Sequence, residues 1–313
     1  MSAGAECAKC DSISPPTTSM PGRIAVSVTR SWAPTDKDMF SPGTASLRAR
    51  LTSIGLSRLV LFLDFDGTLV PIARRPELVR MDRAMIRILD RLGRHVPIVV
   101  VSGRPVKDLR RVIGLESLHY IGLHGFSYGA PHNPPSWLAS RPPRRIVRTW
   151  KDALVAVAEK VQGAWVEDKG ISVALHNREV AARDRHSLHR NAMNTLQDRL
   201  HGKQIRLLRG KHVMEILPAT HCDKGSAVLR LLKRPWARSR VPVYIGDDIT
   251  DIPALKLVAR SGVAIQVGSI PQAPKTWTKL VDTDAVRDLL RYLANQLDRT
   301  SAWPSAVPVQ RCS

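Results

Sequence analysis

The stretch "LVLFLDFDGTLVPI" occupies residues 59–72. Five apolar residues, Leu59 to Leu63, run into two aspartates separated only by Phe65, and Gly67 and Thr68 follow at once. A short apolar run bounded by a glycine reads as a buried strand. Gly67 lets the chain turn sharply beyond it. One carboxylate can then coordinate a metal and attack phosphorus, while the other protonates a leaving oxygen and later deprotonates water. Backbone N–H groups of the turn, at Gly67 and Thr68, can cradle phosphoryl oxygens. The plainer alternative for two such aspartates is a turn closed by an Asx-type hydrogen bond.

The surroundings favour chemistry over a turn. Downstream, Met85, Ile86, Leu89 and Leu92 share one face of a helix that Asp82 would cap. Residues 97–101 form an apolar strand, Pro105 opens the next helix, and 118–125 read as strand and turn. Later, 223–232 open a helix, 241–246 and 263–268 are strands, and Val286, Leu289, Leu290, Leu293 and Leu297 stripe a final helix. Short apolar strands alternating with helices predict an α/β fold with a parallel, doubly wound sheet. The middle differs: a helix over about 146–161, a hairpin over 164–178, a helix around 186–200, and strands at 204–209 and 212–217. This predicts an inserted α+β unit. The expected division is 46–128 and 216–300 for the core and 129–215 for the insert, with disordered extensions at 1–45 and 301–313.

The 43% hydrophobic content of the 313 residues supplies a sizeable core. No apolar run approaches the roughly 20 residues that span a bilayer, and no leader pattern opens the chain, so no membrane partner and a cytoplasmic location are expected. Cys7 and Cys10 form a lone C-x-x-C, half of a zinc site, and with Cys222 and Cys312 they read as reduced thiols. The net charge of +21 would attract phosphates or nucleic acid. It is dispersed in pairs such as Arg74-Arg75, Arg110-Arg111 and Arg144-Arg145, with only four Tyr and four Phe for base stacking, so nucleic acid is not the expected partner.

Asp64/Asp66, Ser102, Lys224 and Asp247/Asp248/Asp251 sit at or just beyond element ends, where open α/β sheets bind ligands. The acidic groups would repel one another unless a cation sits among them, and hard oxygen donors beside a phosphate suit Mg²⁺. Ser102 would donate a hydrogen bond and Lys224 neutralise charge at the phosphoryl group. Asp247 would complete the metal site, with Asp248 and Asp251 at or behind it.

"DFDGTL" at 64–69, the serine of "VVVSGR" at 99–104, the lysine of "CDKGSA" at 222–227 and "GDDITD" at 246–251 resemble the four motifs of the haloacid dehalogenase superfamily. With "GLHG" at 122–125, "VEDKGISVALHNR" at 166–178 and "GKHVMEILP" at 210–218, roughly residues 55–295 resemble the trehalose-6-phosphate phosphatases. The resemblance implies a Rossmann-like core with an inserted α+β cap. It implies Asp64 as nucleophile, Asp66 as acid and base, and Mg²⁺ held by Asp64, Asp66, Asp247 and Asp248 with Asp251 behind them. Glu167, Lys169, His176, Arg178, Lys211 and Glu215 would meet the sugar or hold the cap closed, and Arg104 and His124 would lie near the site as substrate-binding residues. The implied substrate is a small sugar phosphate, hydrolysed in trehalose biosynthesis in coupling with a trehalose-6-phosphate synthase. The alternatives are a phosphatase of another sugar phosphate, such as sucrose 6-phosphate, or an inactive regulatory or nucleic-acid-binding protein on this fold. Two departures from the family pattern stand out: Ile252 and Pro253 where an acidic residue usually follows "TD", and Leu217 where arginine is common.

Overall fold

The computed structural model describes residues 42–199, 205–210, 212–271, 273–274 and 276–301. Lys211, Cys7, Cys10, Cys312 and most of both expected extensions lie outside these residues. Helix α1 (Pro42–Ile54) precedes strand β1 (Leu59–Asp64), helix α2 (Arg83–Gly93), strand β2 (Ile98–Val101) and helix α3 (Val106–Ile113). Strands β3 (His119–Gly122), β4 (Ser127–Gly129) and β5 (Ser136–Trp137) follow. Next come α4 (Arg144–Ala158), β6 (Trp165–Asp168), β7 (Val173–His176), α5 (Ala182–Arg199), β8 (Ile205–Gly210) and β9 (Val213–Pro218). The chain ends through α6 (Lys224–Leu232), β10 (Val241–Gly246), α7 (Ile252–Val258), β11 (Val263–Val267), β12 (Thr278–Leu280) and α8 (Thr283–Ser301).

The main sheet runs β12-β11-β10-β1-β2-β3-β4-β5, parallel from β12 to β3 and antiparallel over β4 and β5. Strand β1 lies between β10 and β2 and is covered on both faces, which is why its sequence is continuously apolar. Leu59, Leu61 and Leu63 pack toward α1, α2 and α8; Val60 and Phe62 pack toward α6 and α7. Each such side chain, fully buried, contributes about 1.5–3 kcal/mol. Alternation then dictates the site. Asp64 continues the Val60–Phe62 face, and Lys224, the first residue of α6, meets it there. Phe65 returns to the opposite cluster and is fully buried.

The second sheet, β6-β7-β9-β8, is antiparallel. Val173, Leu175, Met214 and Ile216 on one face pack against Val147, Trp150 and Leu154 of α4 and Leu188, Ala192 and Leu196 of α5. The period of two turns Glu215 and His176 to the other face, toward the main sheet's strand ends. Strand pairing draws the border of this unit differently from 129–215, because β5 joins the main sheet and β9 continues to Pro218. Helix α1 begins at Pro42, inside the stretch read as extension, because Leu47 and Leu51 anchor it in the core. Helix α5 starts at Ala182, four residues before the sequence places it, since its first turn carries no apolar period.

Candidate active site

Asp64, Asp247 and Asp251 bring three buried carboxylates together, each offering an oxygen within 4.8 Å of the others. Lys224 Nζ donates to Asp64 Oδ1 at 2.6 Å and to Asp251 Oδ1 at 2.7 Å. Asp251 is further held by the Tyr244 hydroxyl, 2.6 Å from the same oxygen, and by the Asp248 backbone N–H, 3.0 Å from Oδ2. Helix α6 can begin at Lys224 because Asp223 caps it, its Oδ1 accepting from Ser226 N at 2.7 Å while Ser226 Oγ accepts from Asp223 N at 2.9 Å. Burial raises the Asp64 pKa well above the ordinary carboxyl value; Asp251 and Asp247 push the same way, and Lys224 opposes. Burial would lower Lys224, but Asp251 and Asp64 overcome it and keep the ammonium charged. Three carboxyl groups are thus buried beside one lysine, and ionising each one raises the cost of ionising the next.

The turn after β1 completes the floor. Gly67 has φ +91°, and a Cβ there would stand 2.2 Å from Asp247 Oδ2, so both backbone conformation and space require glycine. Thr68 is buried and its backbone N–H is turned to Phe65 O at 3.4 Å. Ser102, buried just beyond β2, accepts from Arg104 N at 3.1 Å. Arg104 grips Asp66 in a bidentate pair: Nε to Oδ2 and a terminal nitrogen to Oδ1, each at 2.7 Å.

The inserted unit supplies the facing wall. Glu215 is buried with both oxygens occupied: Oε1 by Ser172 Oγ at 2.6 Å, Oε2 by Lys169 Nζ at 2.9 Å and His124 Nε2 at 3.0 Å. Burial alone would raise its pKa, but Lys169, His124 and Ser172 hold it far below the usual 4.5. His124 comes from the main domain on a turn in which Leu123 and His124 both have positive φ, 54° and 55°. Two side-chain-bearing residues in that region store strain, and Leu123 N to Arg104 O and His124 N to Ser102 O hold the turn in place. Gly103 makes room, since a Cβ there would lie 2.5 Å from His124 Nε2. Glu167 and His176 pair at 2.9 Å, with the Trp165 ring stacked on His176 at 3.8 Å. Asp64, Asp66, Ser102 and Lys224 below and Glu167, Lys169, His176 and Arg178 above line one cleft.

A profile of the trehalose-phosphatase family matches residues 62–300. The chain belongs to that family, and is accordingly a phosphatase. It is 30% identical over 263 residues to trehalose 6-phosphate phosphatase RA3 of Zea mays, a match covering 76% of this chain and 70% of the maize protein. It is 33% identical over 249 residues to the trehalose-phosphate phosphatase of Mycobacterium tuberculosis, covering 76% of this chain and 61% of that protein's length. Among solved structures, the C-terminal domain of C. albicans trehalose-6-phosphate phosphatase aligns with a TM-score of 0.71 at 22% identity, over 80% of this chain and 96% of that one. A haloacid dehalogenase-like hydrolase from Bacteroides thetaiotaomicron aligns at 0.53 and 14%, over 78% and 99%. At such identities both speak for the fold alone, a haloacid dehalogenase-like core whose separate antiparallel sheet forms the cap.

Against the sequence reading, Asp64, Lys224, Asp247 and Asp251 come together in one cluster. Asp248 lines the cleft but stands outside the group of three, its Oδ2 accepting from Thr250 Oγ1 at 3.2 Å. The Asp66 carboxylate is likewise outside that group, held by Arg104. Glu215 holds Lys169, His124 and Ser172 and lines the cleft. Lys211 is outside the described residues. Leu217, where arginine is common, is fully buried with Leu123, Phe126 and Ile171. Ile252 and Pro253 open α7, a position proline suits, and Pro253 closes on Gly225, where a Cβ would lie 2.8 Å from its backbone. Tyr244 and Ser172 escaped the sequence reading because each looks like an ordinary residue of an apolar strand or turn.

Proposed function

We propose that this protein hydrolyses trehalose 6-phosphate to trehalose and phosphate through a phosphoryl group carried on Asp64. The observation that carries the reading is the buried Asp64–Lys224–Asp251 cluster with Asp247 beside it, facing polar cap residues across one cleft. Asp64 Oδ attacks phosphorus in line with the leaving sugar oxygen, forming an acyl phosphate as the P–O bond to the sugar breaks. Asp66, protonated when it meets the leaving oxygen, gives that oxygen its proton, then as the carboxylate takes one from the water that cleaves the acyl phosphate and restores Asp64. Lys224 and Ser102 bear the charge on the phosphoryl oxygens, whereas the turn's own N–H groups are spent on its closure, Gly67 N on Val70 O at 2.7 Å and Thr68 N on Phe65 O at 3.4 Å. Asp251 and Tyr244 hold Lys224 in register.

The donor set fits a hard divalent cation: buried carboxylate oxygens, within 4.8 Å of one another, at the end of one cleft. Asp64 and Asp247 would hold Mg²⁺, together with the Asp66 backbone carbonyl, with Asp251 alongside them and shared with Lys224, Tyr244 and the Asp248 N–H. When bound, Mg²⁺ supplies positive charge that lets Asp64 ionise and a phosphate dianion approach. On the cap, Lys169, His176 and Arg178 offer donors, and Glu167 an acceptor, to a sugar whose buried hydroxyls need partners. The substrate must come from an enzyme that makes this phosphate ester, a trehalose-6-phosphate synthase.

Phosphate release tests the reading, comparing trehalose 6-phosphate with sucrose 6-phosphate, glucose 6-phosphate and a nitrophenyl phosphate. The highest kcat/KM belongs to trehalose 6-phosphate; an equal or higher value on another ester overturns the assignment.

A further inference from the structure

The reaction above needs Asp66 at the leaving oxygen, yet this structure has it clamped. Arg104 meets both its oxygens at 2.7 Å. The two partners are not held alike. The arginine's other terminal nitrogen donates to Pro76 O at 2.9 Å, its guanidinium carbon lies 5.4 Å from the Phe65 ring centre, and its backbone N–H is bonded to Ser102 Oγ. Its side chain is 13% exposed, whereas that of Asp66 is 35% exposed and is followed by Gly67 in the left-handed region. The arginine is therefore the fixed partner and the aspartate the movable one.

We propose that Arg104 is an exchange site: the substrate's phosphoryl group takes the guanidinium edge that Asp66 occupies, and the displaced Asp66 turns to the leaving oxygen. The inference rests on the reading that a phosphoryl group is handled on this floor, and deepens it. The chemistry favours such a trade. A largely buried guanidinium is costly to leave without an anion. Its fork matches carboxylate and phosphate alike, and the phosphate brings more charge and an additional oxygen. Exchanging one anion for another never strands the arginine, and the Pro76 carbonyl keeps it from following Asp66. Burial would lower the arginine's pKa, but the bond to Asp66 raises it, consistent with a strong anion site.

Inorganic phosphate is the probe, titrated calorimetrically with Mg²⁺ into the full chain and three variants: Asp66→Asn, Arg104→Gln and the double variant. Asp66→Asn removes the competitor, so phosphate should bind roughly tenfold tighter, the scale of a hydrogen bond to a charged group. In the Arg104→Gln background the same substitution should change affinity less than twofold. An equal gain in both backgrounds would mean that Asp66 acts only through its general field, and no gain in either would mean that it does not compete; both overturn the proposal. If Arg104→Gln fails to fold, Arg104→Met serves as the background. Phosphate is a product common to all phosphomonoesterases, so this result is independent of the sugar, and failure of the trehalose reading appears only in the substrate panel.

Discussion

Two acidic sites face each other across the cleft, and burial has opposite consequences in them. On the floor, Asp64 shares one lysine with Asp251 and lies beside Asp247, and its pKa is driven up. On the cap, Glu215 has Lys169, His124 and Ser172 to itself, and its pKa is driven down. Burial alone would raise both. The difference is the count of donors per carboxylate, and it separates a floor whose carboxyl is hard to ionise from a cap whose carboxylate is fully supported and holds a lysine and a histidine at the cleft.

The sharpest way to break this contrast is at Asp64. Asp64→Asn should reduce phosphate release by roughly 10³–10⁶-fold, the range for removing a nucleophile, while near-normal turnover with Mg²⁺ present would refute its assignment. Next in size is metal removal. EDTA should abolish most activity and added Mg²⁺ restore it; activity that survives chelation would mean that the floor needs no cation. Lys224→Met should leave Asp64 and Asp251 buried without their shared cation and destabilise the fold by about 3–5 kcal/mol, measured by denaturant titration.

The cap predicts a pH signature instead. Because the folded Glu215 carboxyl lies below its ordinary 4.5, its contribution is complete above that pH and is lost as pH falls toward the depressed value. Wild type should therefore lose more Tm than Glu215→Gln between pH 6 and pH 3; parallel curves would show that Glu215 carries no such linkage. The smallest effect belongs to Arg75 and Glu179, an exposed ion pair at 3.0 Å joining the loop after β1 to the cap. Arg75→Ala should alter KM by no more than about fivefold, and the difference should fade in high salt.

Much of the floor was legible in the sequence because strand alternation is so regular. Once Leu59–Leu63 is read as a strand buried on both faces, Asp64 must lie on the face of Val60 and Phe62, and the C-terminal strand ends gather the remaining motifs. The cap's inward face follows the same rule, Glu215 lying between Met214 and Ile216. Pairings between side chains were not legible. Asp66 and Arg104 are joined by rotamers 38 residues apart, and the donors to Glu215 come from segments 43, 46 and 91 residues away. Tyr244 looks like a core aromatic in "VPVYIG", and only the turn that brings Asp251 back beneath the strand gives its hydroxyl a partner. Strands β4 and β5, three and two residues long, are too short for any period to register.

The register of β1 also bears on how the protein is made. Leu59 pairs with Val241 on one side, while the β2 partners on the other begin at Ile98. At about 5–20 residues per second, the roughly 180 residues between the β1 and β10 partners take on the order of 10–40 s to emerge from a ribosome. During that interval a strand buried on both faces in the finished fold has one edge unpaired, an opening for misassembly or for a chaperone. The strand that ends in Asp64 is thus made early and completed late, which leaves an apolar edge of the central sheet open while most of the chain is still being made.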